Sequence, residues 1–183
     1  MRFKVFVITG GSGSGKSALA EEILCQKVPG TKIYLATMTC RDAESQKRIF
    51  AHRKKRAGKG FVTVEKGVSV DAIQEKADGC LLECLGNLVA NEMYSSASQR
   101  KDKSDADIVA GITADILKLS ERFSEMGIVG NDVGRDIKAD PETERYKRIL
   151  GGVLKRLKDE ADLVIEAVYG IPVLHKGELH ESV

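Results

Sequence analysis

Short apolar runs and longer amphipathic stretches alternate along the chain. The apolar runs are rich in β-branched residues and end at polar or glycine-containing segments, which is typical of strands buried in a sheet. They predict strands at residues 3–9, 32–37, 61–65, 80–85, 127–131, 163–169 and 173–174. Between them, apolar residues recur three and four positions apart, which predicts helices. The helices are expected at residues 17–25, 43–59, 69–76, 87–94, 108–126, which is the longest by pattern, and about 143–160.

Strands that alternate with helices predict an α/β fold, with a mostly parallel sheet and helices on both faces. A chain of 183 residues is long enough for one such domain. No linker or internal repeat interrupts the pattern, so we expect a single domain over residues 1–183. Ligands of parallel sheets bind beyond the carboxyl ends of the strands. The stretches of interest are therefore residues 37–42, 83–87 and 131–134.

Composition narrows the possible functions. The chain has 29 basic and 27 acidic residues and a formal net charge of +2, which argues against a general nucleic-acid binder. No apolar run approaches the length of a membrane span and no secretory signal is evident, so no membrane span is expected. The cysteines lack a metal-ligand spacing and indicate reduced thiols in a cytoplasmic protein. They are Cys25, Cys40, Cys80 and Cys84.

The most specific motif follows the first predicted strand. It fits G-x-x-x-x-G-K-[ST], the phosphate-binding loop, without a mismatch. It consists of Gly10, Gly11, Ser12, Gly13, Ser14, Gly15, Lys16 and Ser17. The glycines let backbone N–H groups approach phosphate oxygens, and the next helix points its positive end at the same anion. We expect Lys16 to reach the β- and γ-phosphates and Ser17 to ligate Mg²⁺.

The strand before the loop and the helix after it favour this interpretation over a chance glycine-rich turn. The chain is therefore predicted to bind a nucleoside triphosphate in a three-layer P-loop NTPase-like fold. Two carboxylates at strand ends are further candidates. Glu83 is expected to help hold Mg²⁺, directly or through a water, although an ordinary polar strand end is the alternative. Glu65 is a weaker candidate for a nucleotide or metal contact, and Thr37, which ends the second predicted strand, is a candidate nucleotide contact.

A second informative stretch surrounds His52. On a helix, Arg48, His52 and Arg56 fall four residues apart and share one face. Two arginines one turn away disfavour protonation of the histidine, so its pKa is expected below ~6.5. A neutral imidazole is a nucleophile, and arginines bind phosphates. The residues alone favour a solvated basic helix, while a nucleic-acid surface is disfavoured because aromatic residues are scarce nearby.

Further segments match one pattern in order and spacing. They are T-G-G and S-G-K-S within 9–17, Y-L-A-T at 34–37, D-A-E at 42–44, Arg48-Ile49 with His52 and Arg56, V-T-V-E at 62–65, L-L-E-C-L at 81–85 with Asn91, N-D-V-G at 131–134, R-Y-K-R at 145–148, and G-I-P at 170–172 with Lys176-Gly177. From the N-terminus to about Lys176 the chain resembles the bifunctional adenosylcobinamide kinase/adenosylcobinamide-phosphate guanylyltransferases of cobalamin biosynthesis. The whole set is far more specific than the phosphate-binding loop alone.

The resemblance implies two activities. Enzymes of this family phosphorylate the aminopropanol hydroxyl of adenosylcobinamide with ATP or GTP. They then transfer GMP from GTP to the new phosphate, which gives adenosylcobinamide-GDP and pyrophosphate. The second step passes through a guanylylated histidine, and that histidine falls on His52, with Arg48 and Arg56 as expected partners of the phosphates. The resemblance also implies a homotrimer with sites between subunits.

Departures from the family pattern mark a divergent member. Gly13 stands where the family usually has arginine, and Glu83 and Ile149 stand where it usually has aspartate. Two alternatives stay open. One is a P-loop kinase of another small hydroxylated substrate, with the histidine helix as a basic lid. The other is a non-catalytic nucleotide-binding regulator, in which the polar residues 95–105, predicted to be a mobile loop, would serve a partner.

Overall fold

The computed structural model describes residues 4–38, 58–132 and 140–178. Within these residues, seven strands form one sheet in the order β3-β2-β4-β5-β1-β6-β7. The strands are β1 (Val5–Gly10), β2 (Lys32–Ala36), β3 (Phe61–Glu65), β4 (Gly79–Glu83), β5 (Glu125–Asn131), β6 (Leu163–Val168) and β7 (Ile171–Lys176). All neighbours pair in parallel except β6 and β7, which form an antiparallel hairpin at one edge. The predicted α/β fold with a mostly parallel sheet is confirmed.

Helices cover both faces of the sheet. The described ones are α1 (Lys16–Lys27), α2 (Leu85–Tyr94), α3 (Asp105–Ser120) and α4 (Pro141–Glu160), with a short 3₁₀ turn at Val70–Ala72. On one face, Phe6 and Ile8 of β1 belong to a core that includes residues of α1. On the other face, Val5 and Val7 share a larger core with α2, α3 and α4. Alternate residues of one buried strand thus hold the two outer layers.

Strand β1 lies inside the sheet because residues distant in sequence pair with both of its edges. It pairs with β5 on one side and with β6 on the other. The Asp162 carboxylate, just before β6, accepts hydrogen bonds from the backbone N–H groups of Lys4 and Val5 at 2.8 and 3.1 Å. Gly127 of β5 leaves room for Phe6, whose Cζ would lie only 2.4 Å from a Cβ at that position.

The predicted helix at residues 108–126 is wrong at both ends. Helix α3 begins at Asp105, after Ser104 accepts a hydrogen bond from the Asp107 N–H, and ends at Ser120. Phe123 fits the helical spacing and is buried at 4 % exposure, but it lies in the turn that leads into β5. The longest described helix is α4, with 20 residues, which has Asp140 as its N-cap. The helical spacing of apolar residues therefore continues beyond the end of α3, because the Phe123 side chain in the following turn packs on the same core.

Three smaller predictions also fail. Residues 69–76 were expected to form a helix, but only the short 3₁₀ turn forms, and the Ser69 N–H donates to Glu92 Oε1 at 2.8 Å. Strand β4 ends at Glu83, so that Cys84 becomes the N-cap of α2. The last strand is six residues long and begins at Ile171 instead of 173.

The polar stretch at residues 95–105, predicted to be a mobile loop, is anchored at Arg100. Its guanidinium donates to Glu92 Oε1 at 3.0 Å and to Asp115 Oδ2 at 2.8 Å. Ser98 adds a hydrogen bond to the other oxygen of Glu92. Polar composition alone did not show that a buried carboxylate of α2 would serve as the anchor.

Replacing Arg100 with alanine is expected to destabilise the fold by about 3–5 kcal/mol, because it leaves Glu92 buried without its cation. The Glu92 side chain is only 1 % exposed. Urea denaturation would measure the loss. Lys118→Ala is the matched control, since Lys118 pairs with Asp71 but is 71 % exposed, and such exposed pairs contribute little to stability. Equal losses in the two variants would contradict the assigned role of Arg100.

Candidate nucleotide site

The phosphate-binding loop connects the end of β1 to the start of α1. Gly13 and Gly15 adopt left-handed backbone conformations, with φ of +69° and +88°, which residues with a side chain rarely adopt. Gly15 is also the N-cap of α1, so the first helical N–H groups face the concave side of the loop. The loop therefore presents backbone donors and the positive end of a helix to an anion.

Lys16 is the cation of the loop. It is 9 % exposed, and its Nζ donates to the Gly11 carbonyl at 2.9 Å across the loop. The ammonium group is thus held over the loop, close to the backbone donors. A lysine in this place supplies a point charge for the terminal phosphates of a triphosphate.

Ser17 and Glu83 meet beside the loop, although they are 66 residues apart. The Ser17 hydroxyl donates to Glu83 Oε1 at 2.5 Å. The second carboxylate oxygen, Oε2, is buried and has no hydrogen-bond partner within the part of the chain that the structure describes. A hydroxyl next to a carboxylate with an unused buried oxygen fits the ligand preference of Mg²⁺ for hard oxygen donors. The structure thus brings together the two residues predicted to hold the metal.

Thr37 makes hydrogen bonds that connect the end of β2 to the chain after β4. It is fully buried, and its hydroxyl donates to the Cys84 carbonyl at 2.7 Å. Its own carbonyl accepts a hydrogen bond from Asn91 Nδ2 at 2.8 Å. Thr37 therefore fixes the chain just after Glu83 to the end of β2, and its hydroxyl is used in that backbone contact.

Glu65 lies far from the loop. It is exposed at the end of β3, the edge strand, and pairs in register with Ala36. Strands β2, β4 and β5 separate β3 from β1, so Glu65 lies about 19 Å along the sheet from the end of β1. The structure does not bring it together with the other predicted nucleotide contacts.

The predicted nucleophile lies outside the described residues. His52, Arg48 and Arg56, and most of the helix expected at residues 43–59, fall within 39–57. The described residues on either side of 39–57 are held by hydrogen bonds. Thr37 is hydrogen-bonded as above, and on the other side the Gly60 carbonyl accepts a hydrogen bond from the Lys32 N–H at 2.9 Å.

Cys84 and Tyr146 lie near the site but were not singled out. Burial raises the pKa of the Cys84 thiol, and burial raises the pKa of Tyr146 to about 12. Both groups are therefore protonated at neutral pH and are poor nucleophiles or bases. The Tyr146 hydroxyl donates to the Gly86 carbonyl at 3.2 Å, which joins α4 to the start of α2.

Sequence reasoning also missed Glu166, His175 and Tyr169. The Glu166 carboxylate lies 3.1 Å from His175 Nε2. Tyr169 lies at the tip of the β6–β7 hairpin and is 95 % exposed. The available signal was Glu166 itself, an acidic residue in the otherwise apolar run of β6.

Two features are absent from the described ranges. No group of three or more His, Cys, Asp or Glu side chains there could hold a metal ion. No described helix has the length and apolar character needed to cross a membrane.

The fold and the loop define a P-loop nucleotide-binding protein of the α/β class. Similar solved structures include the flagellar accessory protein FlaH from Methanocaldococcus jannaschii, with 14 % identity, a TM-score of 0.50, and coverage of 97 % of this chain and 80 % of that one. An ATPase from the type III secretion system of pathogenic bacteria has 14 % identity, a TM-score of 0.51, and coverage of 93 % of this chain and 56 % of that one. At these identities the likeness shows the fold alone.

Sequence comparison then gives the family. The model of the cobinamide kinase/cobinamide phosphate guanyltransferases matches residues 6–174. The chain belongs to this family, which confirms the resemblance found in the sequence. No curated protein sequence matches it significantly. The protein is therefore a transferase of cobalamin biosynthesis, a cobinamide kinase and guanylyltransferase that uses nucleoside triphosphates and acts on a corrinoid.

Proposed function

We propose that this chain phosphorylates adenosylcobinamide with ATP or GTP and then transfers GMP from GTP to adenosylcobinamide phosphate through a guanylylated His52. The observation that carries the proposal is the contact between Ser17 and Glu83 beside the phosphate-binding loop. It supports a site for a metal-bound triphosphate at the carboxyl edge of the sheet, where parallel α/β proteins bind ligands.

In the kinase step, the loop N–H groups and Lys16 bind the β- and γ-phosphates. Ser17 and Glu83 would hold Mg²⁺, which when bound neutralises phosphate charge and orients the oxygens. The aminopropanol hydroxyl of the corrinoid attacks the γ-phosphorus. A new O–P bond forms, the bridging P–O bond breaks, the hydroxyl proton is released, and the nucleoside diphosphate leaves.

In the guanylyltransferase step, a ring nitrogen of His52 attacks the α-phosphorus of GTP. A P–N bond forms, the bond to the β-phosphate oxygen breaks, and pyrophosphate leaves. A phosphate oxygen of adenosylcobinamide phosphate then attacks the same phosphorus, which breaks the P–N bond and frees the histidine. Arg48 and Arg56 would bind the β- and γ-phosphates of GTP, whose negative charge increases as pyrophosphate leaves.

The proposal includes the oligomeric state and the cellular localisation of the enzyme. We place both activities in one domain over residues 1–183, in a cytoplasmic homotrimer with sites between subunits. The trimer follows from the resemblance, and sedimentation velocity at several protein concentrations would test it. Besides Mg²⁺, the proposed ligands are the corrinoid and the nucleotides, and neither nucleic acid nor a membrane span is part of the proposal.

The function is tested by supplying the purified protein with adenosylcobinamide, ATP and Mg²⁺, and then with GTP. Mass spectrometry is expected to show adenosylcobinamide phosphate first and adenosylcobinamide-GDP after GTP addition, with one pyrophosphate released per GMP transferred. The first product without the second would reject the guanylyltransferase half of the proposal. Nucleotide binding without either product would reject both halves.

Glu83→Gln is expected to reduce the kinase rate about 10²–10³-fold, because the amide keeps the hydrogen bond of Ser17 but removes the charge that would hold Mg²⁺. The Mg²⁺ concentration for half-maximal rate should rise. Glu65→Gln is the matched control, since Glu65 is the other strand-end carboxylate but lies at the sheet edge, and its rate should match the wild type. A Mg²⁺ dependence unchanged in Glu83→Gln would remove Glu83 from the metal site.

A further inference from the structure

Glu83, the carboxylate proposed to hold Mg²⁺, lies where β4 passes directly into α2. The strand ends at Glu83, and the helix begins at Leu85 with Cys84 as its N-cap. A single residue therefore separates the strand from the helix. Because the Glu83 side chain starts from this junction, the groups that hold the junction also decide where the carboxylate lies.

Thr37, one residue past the end of β2, holds the junction at two points. Its backbone N–H donates to the Glu83 carbonyl at 3.0 Å, which continues the pairing of Ala36 with Glu83. Its hydroxyl donates to the Cys84 carbonyl at 2.7 Å. Thr37 is 0 % exposed, so water does not compete for these hydrogen bonds. One buried residue thus holds two successive carbonyls of the junction.

Thr37 is in turn held by α2. Asn91 Nδ2 donates to the Thr37 carbonyl at 2.8 Å. Asn91 belongs to the same helix that begins at the junction, so the hydrogen bonds connect β2, β4 and α2 in a closed ring. The ring resists displacement, because no element in it can shift without breaking a hydrogen bond to another.

The Glu83 carboxylate itself has few direct contacts. Its Oε1 accepts a hydrogen bond from the Ser17 hydroxyl at 2.5 Å, while Oε2 is buried and has no hydrogen-bond partner among the residues that the structure describes. Mg²⁺ requires short oxygen distances in a near-ideal octahedral geometry. A small shift of the junction would therefore weaken the hold of Oε2 on a metal ion.

We propose that Thr37 is a positioning residue for the metal site. Its hydroxyl, supported by Asn91, fixes the β4–α2 junction so that Glu83 presents its carboxylate to the Mg²⁺ of the triphosphate held by the loop. Thr37 acts through Glu83 and touches neither the metal nor the nucleotide. This inference rests on the proposed function, because it requires Glu83 to hold Mg²⁺.

Thr37→Val isolates the hydroxyl. Valine replaces the hydroxyl with a methyl group of similar size and keeps the backbone N–H that bonds Glu83. The Cys84 carbonyl still accepts the Leu88 N–H at 3.2 Å, so no buried carbonyl is left without a donor. The fold therefore loses one hydrogen bond and is expected to form.

Thr113→Val is the matched control for this loss. Thr113 is 6 % exposed, and its hydroxyl donates to the Val109 carbonyl at 2.8 Å within α3. That carbonyl also accepts the helical N–H of Thr113. The two substitutions thus remove the same group from the same kind of bond, and only one of these bonds reaches the junction beside Glu83.

Isothermal titration calorimetry of ATP on the whole chain, in Mg²⁺ and in EDTA and without the corrinoid, measures how much the metal contributes to affinity. Thr37→Val is expected to reduce this contribution about 10- to 100-fold, as partners that orient a metal ligand do. The Mg²⁺ concentration for half-maximal kinase rate should rise with it, while ATP affinity in EDTA stays unchanged. Thr37→Ser keeps the hydroxyl and should restore the wild-type values, and Thr113→Val should match the wild type.

Combination with Glu83→Gln tests whether Thr37 acts through Glu83. The double variant should show no loss of Mg²⁺ dependence beyond that of Glu83→Gln alone, whereas independent contributions would add. Additive losses would overturn the positioning role. If circular dichroism shows Thr37→Val to be unfolded, Asn91→Leu, which removes the donor to the Thr37 carbonyl, carries the same test with the same expected direction.

The outcomes separate the positioning role from the function on which it rests. Equal weakening of ATP in Mg²⁺ and in EDTA by Thr37→Val would make Thr37 a direct nucleotide contact and overturn the inference. A wild-type Mg²⁺ dependence in Thr37→Val, with an impaired one in Glu83→Gln, would overturn it and leave the metal site intact. A wild-type Mg²⁺ dependence in Glu83→Gln would instead reject the metal site of the proposed function.

Discussion

Replacing His52 with alanine is expected to abolish covalent labelling of the protein by GTP and to reduce formation of adenosylcobinamide-GDP to background. The imidazole supplies the nitrogen that forms the P–N bond, and alanine has no group that replaces it. The kinase step should retain its rate, because its predicted residues lie in the phosphate-binding loop and at Glu83. The measurement uses Mg²⁺ and GTP labelled at the α-phosphate, followed by denaturation and intact-mass analysis. The adduct should be acid-labile and base-stable.

The chain offers a matched control, since it has three histidines. His180→Ala should label like the wild type under the same conditions. A His52→Ala protein that still carries a GMP adduct would reject the assignment of the nucleophile, and mapping of that adduct would identify the residue used instead. A wild type that binds GTP and carries no adduct would favour a P-loop kinase without the second activity.

The second large effect is expected for Lys16→Ala, which should reduce the kinase rate about 10²–10³-fold. The substitution removes the ammonium group from a position in which it is 9 % exposed and held over the loop at 2.9 Å from the Gly11 carbonyl. The loop N–H groups would remain, so tripolyphosphate should still bind, but more weakly. Steady-state kinetics with ATP and calorimetry with tripolyphosphate would measure the two effects.

Lys101→Ala is the control for the loss of one positive charge, because Lys101 is exposed and lies far from the loop in sequence. Its kinase rate should equal that of the wild type. Equal losses in the two lysine variants would indicate a general electrostatic effect and contradict the specific role of Lys16. A fall in thermal stability of Lys16→Ala large enough to unfold it would be detected by circular dichroism before the assay.

Much of the site could be predicted because it depends on local sequence. The phosphate-binding loop is a contiguous motif between a strand and a helix, and its glycines have the conformations that the motif requires. The meeting of Ser17 with Glu83 followed from a general property of parallel sheets, that strand ends share one edge. The loop did not need the order of the strands, whereas the Ser17–Glu83 contact also requires that only β5 lies between β4 and β1.

The other features of the site and of the fold depended on the order of the strands or on partners that are distant in sequence. Glu65 was, like Glu83, a candidate carboxylate at a strand end, but it lies on the edge strand β3, and no residue pattern shows which strands are adjacent. Thr37 looked like a nucleotide contact, but its hydroxyl binds a carbonyl 47 residues away. Helix α3 was extended too far because Phe123 continued an apolar period in a turn.

The central position of β1 has a consequence for biosynthesis. The strand that ends in the phosphate-binding loop leaves the ribosome before both of its sheet neighbours, β5 and β6, which begin 120 or more residues later. Its first residues are also fixed by Asp162. The nascent loop therefore remains without its flanking strands until β6 has been made. Such distant pairings slow folding. The ability to bind nucleotide is therefore acquired only after β6 has been translated, and a chain truncated before β6 would lack it.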